Sequence, residues 1–217
     1  MLSKRLSAIA KLVNINSIVA DIGSDHGLLP CFLVLNEISE KAYAVDNKKG
    51  PLKRAKENVY KYGLNDKVFP ILSNGLNELE NDVNSIVIAG MGFMTVKEII
   101  ETNSDKLENI NQLIIQSNTD VNLLRKWIMD KKYLIDDEII VYDNNKYYFI
   151  FNINPSISKE YPENQWLVSD NLIENKDQLY YDYLKFTLNK LKDIIKFKSD
   201  RELSLEIEEI ENILKRK

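Results

Sequence analysis

The chain has 217 residues, room for one core of about 150 residues and a small appendage, and no apolar run approaches the roughly 20 residues that cross a bilayer. Its single cysteine, Cys31, excludes an intramolecular disulfide and a cysteine-rich metal site, so no metal is expected and a reducing, cytoplasmic setting fits. The formal charge of −4 argues against a generally basic nucleic-acid binder but allows a local basic face.

Leu2, Leu6, Ile9, Ala10 and Val13 recur at helical spacing, which predicts an amphipathic helix over residues 3–13 with Lys4, Arg5 and Lys11 on its other side. Such a helix either packs on a sheet edge with a solvated basic face or forms a lid whose Lys4 and Arg5 meet a phosphate backbone. The same residues carry no long apolar core and no small-residue cleavage site, which argues against a signal peptide.

Residues 17–22 read as a short apolar strand that breaks into Gly23-Ser24-Asp25-His26-Gly27 and resumes as a helix over 27–38. A loop at the carboxyl end of a strand is where open α/β sheets bind ligands, since backbone N–H groups and a helix start converge there. Gly23 and Gly27 permit close approach, and Asp21 and Asp25 suit a ligand with positive charge or hydroxyls better than a polyphosphate. A second strand, 42–46, ends on Asp46, at about the distance from the glycine loop expected of a ribose-binding acid. The alternative is that Asp46 and Asn47 form a turn before a helix over 51–62.

A third strand, 68–72, runs into Ser73-Asn74-Gly75, where an amide can read an adenine edge or merely make a turn. The uninterrupted apolar run 85–89 is a parallel strand covered on both faces, followed at once by Gly90-Met91-Gly92. As a dinucleotide fingerprint this turn fails, because Thr95 stands where the third glycine belongs. A fifth strand, 113–118, ends in Gln116-Ser117-Asn118 and precedes a helix over about 119–131. Residues 133–141 and 146–153 are β-rich and joined by a turn cluster, which predicts an antiparallel hairpin. Five parallel βα units closed by such a hairpin give an α/β class I methyltransferase, Rossmann-like fold with a mostly parallel seven-stranded sheet.

Residues 154–175 read as a linker, with Trp166 and Leu167 docking on a neighbour. A broad apolar face from Leu179 to Ile195, then Ser199 and Glu202 as a capping box opening a second helix with Leu203, Ile207, Ile210 and Leu214, predict a coiled-coil helical hairpin. Lys185, Lys190, Lys192, Lys196 and Lys198 make its first helix basic, suited to RNA or to plain solvation. Residues 1–155 would form the methyltransferase domain and 156–217 the linker and helical appendage.

With these strings in view, the chain resembles the bacterial tRNA (adenine-22-N1)-methyltransferase family: Leu2-Ser3-Lys4-Arg5-Leu6, Asp21-Ile22-Gly23-Ser24-Asp25-His26, Leu29-Pro30, Asn74-Gly75-Leu76, Ala89-Gly90-Met91-Gly92 and Gln116-Ser117-Asn118 carry the likeness over roughly the first 155 residues. It departs where Ser117 replaces a usual Pro, Phe93 a usual Gly and Asp46 a common Glu. The resemblance implies S-adenosylmethionine (SAM) as methyl donor and a cytoplasmic tRNA as acceptor, leaving monomer and weak dimer open. The donor site would comprise Asp21, Gly23, Ser24, Asp25, Asp46, Asn47, Asn74, Gly75, Ala89, Gly90, Met91 and Gly92. Asp25 and His26 would be catalytic, the first accepting from the adenine N6 amino group and the second stacking on or bonding to the base, unless His26 only bonds nearby backbone. Lys4, Arg5, Gln116 and Asn118 would contact the RNA. Methylation of another acceptor and a non-catalytic RNA-binding role stay open on the residues alone; a nicotinamide oxidoreductase is disfavoured by the missing fingerprint.

Overall fold

The computed structural model describes residues 2–197 and 200–216. Seven strands form one sheet: β1 (Ser17–Ile22), β2 (Ser39–Asp46), β3 (Val68–Leu72), β4 (Ser85–Met91), β5 (Gln112–Ser117), β6 (Tyr133–Asp143) and β7 (Lys146–Ser158), in the order β3-β2-β1-β4-β5-β7-β6. The first five pair in parallel, and β7 inserts antiparallel between β5 and β6. The chain switches direction across the sheet between β1 and β4, which opens a crevice outside their carboxyl ends.

Side chains alternate across each strand, so the sheet builds two apolar layers. Val19, Val87, Ile114 and Ile150 meet Ile9 and Ala10 of α1 (Lys4–Leu12), Val13 just after it, and Leu29 and Leu33 of α2 (Leu28–Leu35). Where α3 (Lys49–Lys61) comes in, Val59 packs with Cys31, Val34, Ala42 and Val68. On the opposite face, Ile86, Ile88, Leu113, Ile115, Phe149 and Phe151 pack with Val96 and Ile100 of α4 (Phe93–Thr102) and with Leu124, Trp127 and Ile128 of α5 (Val121–Asp130).

The first five residues of the region expected to be a linker, 154–158, are built into the sheet instead. Strand β7 continues to Ser158 through Pro155, which lies in an irregular stretch where Leu134 pairs with Asn154 but Tyr133 with Ser158, so the missing proline N–H is not needed by the ladder. Beyond it, the Tyr161 hydroxyl donates to the Tyr133 carbonyl at 2.8 Å and accepts the Ile135 N–H at 2.9 Å, covering the β6 edge. A short helix α6 (Asp170–Glu174), capped by the Ser169 hydroxyl, leads to α7 (Gln178–Ile195), capped by Asp177. Tyr180 and Tyr183 of α7 set their rings edge-on to Phe149 of β7 at 6.1 and 4.8 Å.

The last helix, α8 (Arg201–Arg216), buries Ile210 and Ile213 and pairs Glu211 with Lys192 of α7 at 2.6 Å. Leu203, Ile207 and Leu214 of the expected stripe are partly buried. Lys198 and the proposed cap Ser199 lie outside the described residues; Asp200 accepts the N–H groups of Glu202 and Leu203 at 3.0 and 3.3 Å. Of the basic stretch on α7, Lys192 and Lys196 sit in ion pairs, the second with Asp193 at 2.7 Å, and Lys190 lies over the Phe186 ring.

Beneath α5 a fully buried ion pair joins these layers. The Arg125 guanidinium donates to Glu138 of β6 at 2.6 and 3.2 Å, to the Trp166 carbonyl at 2.9 Å and to Asn122 Oδ1 at 3.1 Å. Asn122 in turn donates to Glu206 of α8 at 2.7 Å, a carboxyl whose proton affinity is raised by burial.

Candidate active site

The crevice at the switch point is a cleft of about 430 Å³, within the range that holds a nucleoside-sized ligand. Each of the first four strands delivers one segment of its wall: Gly23 and Asp25 after β1, Asp46 and Asn47 after β2, Asn74 and Gly75 after β3, and Ala89, Gly90 and Met91 at the end of β4. These nine predicted donor residues therefore converge, because parallel strands present all their carboxyl ends on one side.

Asp46 organises the floor. Its carboxylate accepts the Asp25 N–H at 3.2 Å and the Lys48 N–H at 2.9 Å, and a carboxylate retains further lone pairs for hydroxyl donors. Asp46 thus forms the turn that one reading of the sequence gives it, and it stands on the cleft wall where the other would have it. Gly23 has φ +75°, and a Cβ there would run into the Met91 side chain, so glycine lets the loop and Met91 close on each other. Asp25 also takes a left-handed conformation, φ 49°, with His26 Nε2 at 3.3 Å and the Arg54 guanidinium at 3.6 Å from its carboxylate.

Some predicted residues stand off the wall. Asp21 is buried behind it, and that burial pushes its carboxyl up to about 6, opposed by the Ser24 hydroxyl and the Arg5 charge. Ser24 ties its N–H to the Val45 carbonyl at 3.0 Å, His26 sits at the lip with its carbonyl accepting from Asn58, and Gly92 precedes α4. Lys4 is exposed on α1, away from the cleft lining. Gln116 was expected to meet the base; it is fully buried and accepts from the Arg5 guanidinium and from the Gly90 N–H at 3.1 Å. Asn118 is exposed and donates to the Gly90 carbonyl at 2.7 Å.

One whole wall was not foreseen. Thr95, Glu98, Ile99, Thr102 and Asn103, on or just after α4, line the cleft together with Asn74 and Asn77, with Ile99 lying against Gly75. The signal was present: Phe93, Val96 and Ile100 recur at helical spacing and are buried, leaving Thr95, Glu98 and Thr102 at the same spacing on the other side. Lys48, Pro51 and Ser73 complete the lining from segments already singled out.

The residues fit S-adenosylmethionine. Carboxylates suit its ammonium, sulfonium and ribose hydroxyls, and amides suit its adenine. Among the described residues no cluster of His, Cys, Asp and Glu could hold a metal ion, and no helix is long and apolar enough to cross a membrane.

Comparison with known proteins gives a concordant result. Residues 2–151 match the family described as a methyltransferase domain. The tRNA (adenine(22)-N(1))-methyltransferase of Bacillus subtilis (strain 168) is 37% identical over 148 residues, 68% of this chain and 62% of that protein, so the match spans less than two thirds of this relative. The structure of M. capricolum TrmK in complex with S-adenosyl-homocysteine (SAH) superposes with a TM-score of 0.85 and 35% identity, covering 100% of this chain and 97% of that one. A Streptococcus pneumoniae protein, Sp1610, in complex with S-adenosyl-L-methionine, gives a TM-score of 0.89 at 30% identity over 99% of this chain and 100% of that one.

Proposed function

The chain belongs to the tRNA (adenine(22)-N1)-methyltransferase family, and on that premise we propose that it methylates N1 of adenine 22 in the D-arm of tRNA in the cytoplasm, with SAM as donor. The observation that carries this reading is the cleft in which Gly23, Asp46, Asn74 and Gly90 from four successive strand ends meet. Bound there, SAM supplies an electrophilic methyl group on a positively charged sulfur.

Asp46 holds the ribose hydroxyls while anchoring the β1 loop, and Asn47 and Asn74 flank the adenine of the donor. Gly23, Ser24, Gly75, Ala89, Met91 and Gly92 shape the path, with Asp21 behind it. Adenine N1 attacks through an in-plane lone pair without losing a proton, so the protein's contribution is placement, which lowers a barrier by about 7–11 kcal/mol at best. The base must first leave its stem, at a cost of a few kcal/mol. Asp25, exposed at the mouth, accepts from the N6 amino group and balances the charge gained by the ring, and His26 beside it bears on the base. Asn118 and Lys4 face the RNA side.

Methyl transfer from labelled SAM to unmodified tRNA transcripts, followed by nucleoside mapping, tests the reading. Label in 1-methyladenosine at one D-arm position supports it; SAH binding with no label in any tRNA overturns it.

A further inference from the structure

Helix α1 is fastened to the sheet at both ends by two glutamines of one strand. Gln112 and Gln116 of β5 share a face with Ile114, since strand side chains alternate. Gln112 donates to the Leu12 carbonyl at 2.7 Å and accepts the Asn14 N–H at 3.0 Å. Gln116 accepts from the Arg5 guanidinium and, with the same oxygen, from the Gly90 N–H.

Arg5 is consequently drawn inward. Its guanidinium lies over the Tyr148 ring, 5.4 Å from the centroid, and its backbone N–H donates to Asp143 in the hairpin turn at 3.3 Å. A Cβ on Gly90 would come within 3.2 Å of Arg5 Nη1, so the guanidinium packs against bare backbone one residue from Met91 of the cleft. A side chain so engaged is poorly placed to serve as the phosphate ligand that its sequence position suggests.

We propose that Arg5 is a positioning residue for methyl transfer, fixing the Gly90 turn through Gln116 so that the acceptor base meets a rigid wall at the end of β4. The inference rests on the methyltransferase reading above. Electrostatics add a second handle: Asp21 is faced by Arg5 from α1, by Asp46 from β2 and by Ser24 from its own loop, and Arg5 is the cation among them. Loss of that cation lets Asp21 take up a proton at higher pH.

The test compares wild type, Arg5→Lys, Arg5→Gln and Tyr148→Leu for SAH binding by calorimetry, tRNA binding by filter retention, and single-turnover methyl transfer from pH 5.5 to 8.5, the conditions chosen for the assay at about half-unit steps. Expected are SAH and tRNA affinities within about threefold of wild type and a rate lowered roughly hundredfold in Arg5→Gln, the scale of an ångström-sized misplacement. Arg5→Gln should move the acid limb of the rate profile upward, whereas Arg5→Lys, which keeps the charge, should slow the reaction without moving that limb. Tyr148→Leu keeps the test alive if an Arg5 variant fails to fold, and should lower the rate in the same sense. A loss confined to tRNA affinity would make Arg5 a phosphate ligand and overturn the proposal, as would unchanged rates in all three variants or a fall in SAH affinity that tracks the rate. Absence of transfer by wild type removes the methyltransferase reading itself.

Discussion

The Asp25 N–H donates to Asp46 Oδ2 at 3.2 Å, so the loop after β1 hangs on the acid at the end of β2. The two aspartates with separate parts in the proposed reaction are therefore mechanically linked, and their substitution should have separable effects.

Asp46→Ala removes both the loop anchor and the acceptor for the ribose hydroxyls. Hydrogen bonds to a charged group of this kind are worth about 2 kcal/mol, roughly thirtyfold in affinity. Calorimetry with SAH should show that loss, and unchanged affinity would remove Asp46 from the donor site.

Asp25→Asn keeps a residue type that tolerates φ 49° while deleting the charge. The single-turnover rate should fall about hundredfold, comparable to loss of one preorganised electrostatic contact, with SAH affinity affected much less. A rate equal to wild type would refute the role assigned to this carboxylate.

Asp21 predicts a pH effect on stability. Its carboxyl titrates near 6 in the folded protein against 3.8 when unfolded, so between these values the folded state holds a proton that the unfolded chain has released. Stability therefore declines as pH rises through that window, by up to about 3 kcal/mol. Asp21→Asn should flatten the dependence of urea midpoints between acid and neutral pH and raise stability above pH 7 or so; an unaltered slope would assign the effect to other groups.

The buried Arg125–Glu138 pair predicts a large stability loss. Glu138→Gln leaves the guanidinium buried beside a neutral amide and should cost about 3 kcal/mol in urea unfolding, while the apolar double variant Arg125→Met/Glu138→Leu should recover much of it. Equal losses in single and double variants would show that the pair is not the source.

The parallel strands were legible because each is an apolar run, and the acidic or glycine-bearing ends that follow them marked the cleft. Pro155 concealed the end of β7, since a proline forbids a regular ladder but not an irregular one. Helix α4 was concealed by the glycines before it, and Glu98 and Asn103 went with it. The destination of Gln116 was beyond reach, because a polar residue at a strand end reads as a ligand contact until its neighbours are known. Arg125 gave no local sign of a buried partner on β6. Its bond to the Trp166 carbonyl and the Phe149 contacts of α7 also mean that removing residues 156–217 would strip the core, so such a truncation tests folding before it tests RNA binding.

The clamp on α1 bears on how the protein is made. Arg5 and Gln116 are 111 residues apart, and Asn14 and Gln112 are 98 apart. At about 5–20 residues per second, a ribosome presents α1 several seconds before the strand that holds it. During that interval the apolar face of the helix has only β1, α2 and β4 to pack on, without its polar clamp, and the turn at Gly90 lacks its support. The wall proposed to receive the base is thus completed only when β5 joins the sheet, making competence for the reaction a late event in the folding of the chain.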